Sequence, residues 1–376
     1  MQTGMPTGTC LFTMGSHTNY LVTGGAGFIG SHLCDALTAR GDRVIVVDDL
    51  STGRLTNIIH LLAAGRAEFV EGSVLDEDLM LELLGEVDAC VHLASVVGVS
   101  LVVERPVETL LCNVRGADTV LSAAAGLSKP VLLTSTSEVY GKNDGSALPE
   151  AADRVLGATW KSRWNYASSK SFAEALALGY HREVGAKNVV VRLFNTVGPR
   201  QSDAFGMVLP RFVRQALADE DITVYGDGLQ TRCFAHVFDS VDAILRLLDA
   251  ELAVGRVFNV GSGIPISIGE LAERVIERSG SNSNLTFVPY EEAYADGFEE
   301  LGRRRPDTRA LYECTGWRPS HTIDEAIDDL IVFERAARAT VAHTNGNGAV
   351  GHGNGRVKAP GRPRDGEGIA WRMSSA

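Results

Sequence analysis

The chain has no paired cysteines. Its six, at positions 10, 34, 90, 112, 233 and 314, are scattered singly through 376 residues, with no Cys-x-x-Cys or Cys/His spacing. That excludes a disulfide framework and the ligand sets of structural zinc, so no metal is expected. Cys34, Cys90 and Cys112 lie among apolar neighbours and are expected to be small buried hydrophobes. A basic run is also missing: 35 Lys and Arg stand against 47 Asp and Glu, a formal charge of −12. Affinity for nucleic acid rests on neutralising phosphates, so an acidic chain without a basic run is not expected to bind it. An anionic small molecule must then be held by a few local arginines. No apolar stretch is long enough to span a bilayer, and Met1 to Thr18 lacks the apolar region of a signal peptide, so a cytoplasmic protein without membrane contact is expected.

What the chain does have is apolar mass. With 45% hydrophobic and 22% charged residues it can bury a large core. Tyr20–Thr23, Arg43–Asp48, Ala67–Val70, Ala89–Leu93, Pro130–Thr134 and Asn188–Arg192 are short, β-branched and almost continuously apolar. Strands of that kind belong to a parallel sheet covered on both faces. Helical patterns such as Ser31–Arg40 and Tyr166–Glu183 separate them. The expected fold class is α/β, a doubly wound parallel sheet of Rossmann type with a smaller interleaved C-terminal domain. Residues 1–18 read as a flexible leader and 19–190 as the nucleotide-binding domain, to which the chain returns around 232–262. Residues 191–231 and 263–337 read as the substrate domain, and 338–376, rich in Gly, Asn, Arg and Pro, as a disordered tail.

The segment Thr23-Gly24-Gly25-Ala26-Gly27-Phe28-Ile29-Gly30 follows the first strand and opens the first helix. Glycines 24, 27 and 30 permit a tight turn, close approach to a pyrophosphate and close helix–strand packing. Asp48 ends the next strand about twenty residues on, where it suits a ribose hydroxyl. With Asp49 beside it and no basic residue before Arg54, it favours NAD over NADP, whose 2′-phosphate would meet negative charge.

Downstream, Thr136-Ser137-Glu138-Val139-Tyr140-Gly141 precedes Tyr166-Ala-Ser-Ser-Lys170. A hydroxyl at a strand end with a Tyr-x-x-x-Lys helix predicts oxidation of an alcohol by a nicotinamide. Tyr166 and Lys170 are one helical turn apart and face the same side. A lysine ammonium favours phenolate and is expected to lower the tyrosine pKa. Two residues beyond Thr136 along a strand, Glu138 would leave the same face. A carboxylate there points to a second reaction that oxidation alone does not need.

The glycine spacing and the Tyr-x-x-x-Lys pair together resemble the extended short-chain dehydrogenase/reductase family, over about Tyr20 to Arg335. The resemblance implies a tightly bound, recycled NAD and a nucleotide-sugar substrate. It also implies a homodimer through the helices around Glu108–Ala125 and Tyr166–Glu183. Phe28, Ile29, Val74, Leu93 and Lys170 join the glycines and Asp48 as cofactor contacts; at Ser73-Val74 family members have an acid for the adenine. Within the family, Thr-Ser-Thr-Ser-Glu-Val-Tyr-Gly is similar to the catalytic strand of UDP-glucuronic acid decarboxylases. Arg163-Trp164-Asn165-Tyr166, and Tyr294-Ala-Asp-Gly-Phe-Glu before Arg303-Arg304-Arg305, resemble the decarboxylase domain of the bifunctional polymyxin-resistance enzyme. By that resemblance Thr136, Glu138, Tyr166, Lys170 and Arg304 are catalytic. Ser137, Arg163, Asn195, Arg200, Arg232 and Arg304 hold substrate. The implied reaction is loss of CO2 from UDP-glucuronate through a 4-ketone, giving UDP-xylose or the UDP-4-keto-pentose. Asp48-Asp49-Leu50-Ser51-Thr52-Gly53 looks more like UDP-hexose 4-epimerases, so 4-epimerisation of a UDP-hexose or UDP-uronate stays open. Arg304 also suits a diphosphate, and Arg200 suits a loop ion pair.

Overall fold

A computed structural model of the chain describes residues 17–98, 105–143, 146–202, 207–293 and 303–346. Seven strands form the central sheet: β1 (Asn19–Thr23), β2 (Arg43–Asp48), β3 (Ala67–Glu71), β4 (Ala89–His92), β5 (Val131–Thr136), β7 (Asn188–Leu193) and β12 (Val257–Val260). Their order is β12-β7-β5-β4-β1-β2-β3, and every pairing is parallel. The six apolar runs read from the sequence are β1 to β5 and β7 to within a residue or two, because a strand buried on both faces has no polar alternation to hide it; β12 is not among them. Successive residues face opposite layers. Tyr20 and Val22 of β1 join Val44 and Val46 of β2 in one core, with Leu33 and Leu37 of α1 (Phe28–Arg40). Leu21 and Ile45 join the opposite core, which holds Met80 and Leu84 from residues 77–85. Into that second core also pack Val120 of the helix Pro106–Gly126 and Ala173 of the helix Asn165–Val184.

A second sheet is small and has the order β13-β10-β15-β6, with β6 (Ala147–Leu148), β10 (Thr231–Cys233), β13 (Pro265–Ser267) and β15 (Arg303–Pro306). It draws β6 from inside the segment expected to serve the nucleotide-binding sheet alone. Beside it, residues 208–217, 268–279 and the start of 323–346 enclose a third core around Phe212, Leu271 and Ile327.

The described residues up to Ala336 form one compact unit. The helix Ile323–Gly346 runs into the segment expected to be a disordered tail. The run Glu334-Arg-Ala-Ala-Arg-Ala contains strong helix formers and carries the element past position 338. The remainder of the tail, residues 1–16 of the leader and the motif beginning at Tyr294 lie outside the described residues. Among the described residues, no helix is long and apolar enough to cross a membrane.

Candidate active site

From β1 the chain order of the strands runs outward in both directions, so the loops after β1 and β4 part and leave a crevice at the carboxyl ends of the strands. The glycine loop lies here. Gly24 has φ +70°, and a Cβ on it would meet the Ala94 backbone nitrogen at 2.8 Å. A Cβ on Gly30 would stand 2.3 Å from the Gly24 carbonyl oxygen, so the first turn of α1 packs directly on the loop. Gly25, which the spacing argument passed over, is held as tightly: its Cβ would meet Val46 at 2.7 Å. Gly27 caps α1 without a side-chain hydrogen bond, and the first turn carries no acid. The N–H groups and positive end of α1 therefore remain for an anion.

Asp48 accepts hydrogen bonds from the Ala26 (3.0 Å) and Leu50 (2.9 Å) amides. It braces the glycine loop as well as lining the cavity. Burial raises its pKa, opposed by those two amides. Phe28, Ile29, Val74 and Leu93 line the same space. Cys34 and Cys90 are buried as expected; Cys112 is not, and opens part of its side chain onto the cavity.

The cavity continues, with a volume of about 550 Å³, past the ends of β5 and β7 to the small sheet. At its centre Thr136 ends β5 and its Oγ1 accepts the Glu138 amide at 3.2 Å. That bond turns the chain into a 3-10 turn over Ser137–Tyr140, so Glu138 does not share a strand face with Thr136. The expectation of a shared face is corrected: Thr136 caps the turn, and the turn brings Glu138 into the cavity. Tyr166 and Lys170 both line it from the helix Asn165–Val184, its Tyr166 hydroxyl hydrogen-bonded with Ser95 and Thr136. Ser95 is a site residue that motif spacing does not mark. It donates to Asn113 Oδ1 at 3.0 Å, and Asn113 also ties the Val96 backbone and Ser169.

Lys170 donates its Nζ to the Thr134 carbonyl at 3.0 Å. Burial lowers its pKa to about 8. The Tyr166 pKa is raised, first by burial and then by the negative charge of Glu138, with the Ser95 and Thr136 hydrogen bonds opposing. In the protein alone the Tyr166 phenol thus holds its proton, and the Lys170 ammonium is turned to a backbone carbonyl.

The strongest electrostatic feature is Glu138. Burial pushes its carboxyl up, but the guanidiniums of Arg304 and Arg163 outweigh it and hold the pKa at about 2. Arg304 Nη1 bonds Glu138 Oε1 and lies 3.4 Å from Ser137 Oγ. Arg163 Nη2 lies 2.6 Å from Glu138 Oε2, close but poorly aligned. Arg304 is 5% exposed, yet its Nε and that of Arg163 have no hydrogen-bond partner among the described residues. Buried guanidinium N–H groups without partners are costly unless a ligand meets them. Arg304 pairs in register with Arg232 on the adjacent strand, and both line the cavity.

Asn195 lines the cavity after β7, its Nδ2 3.4 Å from the Cys233 carbonyl. Arg200 has φ +66° and pairs with Asp35 of α1 at 2.7 Å, so the ion pair left open by the sequence is made, toward the cofactor helix. Arg211, stacked 4.0 Å from the centre of the Tyr225 ring, was not marked by any motif and closes the far end.

A glycine cradle on an uncapped helix, beside Tyr166, Lys170 and Thr136, defines an enzyme that oxidises an alcohol with a dinucleotide. The loop, whose glycines leave no room for a Cβ, fits NAD. Comparison with known proteins agrees: the model of the NAD dependent epimerase/dehydratase family matches residues 20–261. The chain belongs to that family, the extended short-chain dehydrogenases/reductases. It is 40% identical over 316 residues to UDP-N-acetyl-alpha-D-glucosaminuronate decarboxylase of Bacillus cytotoxicus, covering 84% of this chain and 97% of that protein. It is 38% identical over 312 residues to UDP-glucuronic acid decarboxylase 2 of Arabidopsis thaliana, covering 82% of this chain and 66% of the relative. Among solved structures it is similar to UDP-glucose 4-epimerase of Thermotoga maritima with UDP-glucose (28% identity, TM-score 0.77, 85% of this chain and 99% of that one). The dTDP-glucose 4,6-dehydratase of Streptomyces venezuelae, with NAD bound, is also similar (29% identity, TM-score 0.78, 86% and 98%).

Two outcomes follow from this geometry. Gly30→Ala should weaken NAD binding at least ~10-fold and destabilise the protein by about 1–3 kcal/mol, the usual cost of forcing extra volume into a packed site; calorimetric titration and thermal unfolding read both. The Glu138 pKa is lower folded (about 2) than in its ordinary state (4.5), so its stabilisation is complete above pH 4.5 and is lost as pH falls toward 2. Breaking such a buried pair costs about 3–5 kcal/mol. The stability gap between wild type and Glu138→Gln should therefore be of that size at pH 6 and narrow between pH 4.5 and 2; a gap independent of pH would contradict the pairing.

Proposed function

We propose that this protein decarboxylates a UDP-uronic acid, UDP-glucuronate in the first instance, after oxidising it at C4. The observation that carries this reading is the ionised Glu138 between Arg163 and Arg304, two buried arginines whose Nε–H groups have no partner among the described residues and suit an anionic ligand. Oxidation is complete with Thr136, Tyr166 and Lys170. A carboxylate and two buried arginines beside them serve a step that oxidation lacks.

NAD, held by the glycine loop, Asp48 and the residues around them, and bound tightly enough to be recycled, supplies the hydride acceptor. Thr136 and Ser95 would orient the C4 hydroxyl and Tyr166; with the positive nicotinamide and the Lys170 ammonium beside it Tyr166 is the phenolate, which takes the hydroxyl proton as C4 becomes a ketone. That ketone lies β to the C6 carboxylate. The C5–C6 bond then breaks, its electron pair passing into a C4–C5 enolate while CO2 departs. Arg304 stabilises the enolate oxygen and a proton returns at C5. Glu138, ionised through the working pH range, acts by holding the two guanidiniums and not as a proton donor. Arg232 beside Arg304, with Asn195, serves the diphosphate. The product is the UDP-4-keto-pentose, or UDP-xylose if the ketone is reduced before release.

A second substrate is favoured by one observation: the relative at 40% identity, matched over 97% of its length, is named for the 2-acetamido sugar. The test therefore offers UDP-glucuronate and UDP-N-acetylglucosaminuronate separately with NAD and follows CO2 by mass spectrometry. Loss of CO2 from either supports the proposal. An unchanged mass with a moved C4 proton by NMR would select a 4-epimerase instead. Tyr166→Phe should abolish NADH formation while leaving NAD bound. Glu138→Gln and Arg304→Ala should slow CO2 release about 10²–10⁴-fold, the usual contribution of a positioned catalytic group, with NADH absorbance still rising on substrate addition.

We further propose a homodimer through the outer faces of the helices Pro106–Gly126 and Asn165–Val184, which pack side by side and leave Leu111 (42%) and Phe172 (49%) exposed. Light scattering should give twice the mass of the 40.2 kDa chain, and Leu111→Glu with Phe172→Glu should give monomers; a wild-type monomer at all concentrations refutes it.

A further inference from the structure

Beside the cavity lies a polar cluster centred on a buried asparagine. Asn259 of β12 is wholly buried. Its Oδ1 accepts the Tyr140 hydroxyl at 2.7 Å, and its Nδ2 donates to the carbonyls of Leu148 (2.9 Å) and Asp307 (3.1 Å). Its own amide donates to Glu150 at 2.8 Å. Tyr140 lies under the Arg192 guanidinium, 4.7 Å from the ring centre. Arg192 in turn grips Glu174 with two bonds of 2.9 and 2.7 Å, and Glu174 accepts from Ser135, next to Thr136.

The positions of these contacts matter more than their number. Tyr140 belongs to the same 3-10 turn as Glu138, two residues on. Asp307 follows β15, three residues after Arg304. One side-chain amide on the nucleotide-binding sheet thus holds, from behind, both segments that make the Glu138–Arg304 contact in front. The strand bearing Arg304 is short: β15 has four residues, paired with β10 and with β6 over two each, and the Asp307 amide that follows it donates to the Leu148 carbonyl.

We infer that Asn259 is a positioning residue for the second chemical step, setting Arg304 against Glu138 through Tyr140 and the Asp307 and Leu148 carbonyls. It touches neither substrate nor cofactor. Removing its amide takes the acceptor from the buried Tyr140 hydroxyl and a donor from the Asp307 carbonyl, while the Leu148 carbonyl keeps only the Asp307 amide, and the least costly relief is movement of the short strand. Displacement of a catalytic group by about 1 Å can cost on the order of 10²-fold in rate. Tyr166 and Lys170 stand on the helix Asn165–Val184 and Thr136 at the end of β5, and none of the three hydrogen-bonds Asn259, so oxidation is less affected.

The inference rests on the decarboxylation reading, and the experiment separates the two. NAD-loaded enzyme is mixed with the uronate the wild type accepts, and NADH absorbance and CO2 release are timed. Asn259→Ala should slow CO2 release about 10–100-fold and NADH formation less than about 3-fold. Tyr140→Phe, which keeps the ring and removes one bond, should show the same imbalance more weakly and carries the test if Asn259→Ala does not fold. In an Arg304→Ala background, Asn259→Ala should add less than about 2-fold, because residues acting through one contact are not additive. Equal slowing of both steps in both variants, or an undiminished effect without Arg304, overturns the inference alone. Wild type that forms NADH from both uronates but never CO2 overturns the decarboxylation reading, and the inference with it.

Discussion

Everything functional in this protein depends on the burial of a parallel sheet on both faces. Burial forces helices onto each side, and the right-handed crossovers then run outward from β1 in two directions. The crevice this leaves is the one place where backbone N–H groups, strand ends and helix starts meet without covering one another. The glycine loop, Thr136 and the start of the Tyr166 helix all reach it, although residues 24 and 170 are far apart in the chain.

Inside that crevice the balance of charge is local. Glu138 is outnumbered by Arg163, Arg304 and the neighbouring Arg232, so this end of the cavity is basic although the chain is acidic. Desolvation would keep an isolated carboxyl neutral; two close guanidiniums overturn that. The same low dielectric that makes the pair strong makes its unmet N–H groups demanding, and the proposed chemistry uses that demand.

Much of this was legible in the residues. The continuous apolar runs showed the sheet, and the glycines, Asp48, Thr136, Tyr166, Lys170, Glu138 and Arg304 all line the cavity. What was missed shares a physical cause. Ser95 and Tyr166 meet across distant segments, and no local period marks Asn113 or Asn259, whose partners lie 56 and 119 residues away. Polar residues that serve by bridging carry no pattern of their own. The Glu138 turn was misread as strand because a strand's period of two also places residues 136 and 138 together; the Thr136 cap that breaks the strand depends on a single hydroxyl. The helix past position 338 was hidden by the glycine-rich composition that follows it.

The contrast between a formal charge of −12 and an arginine-lined cavity also governs how a substrate arrives. A nucleotide-sugar acid, itself several times negative, is repelled by the molecule at long range and drawn in only near the mouth. Dissolved salt screens the first effect over a Debye length of about 8 Å at physiological strength, while the arginines inside are shielded from it. Encounter then quickens as salt is added and slows only when ions begin to compete within the cavity, the reverse of a diffusion-steered enzyme.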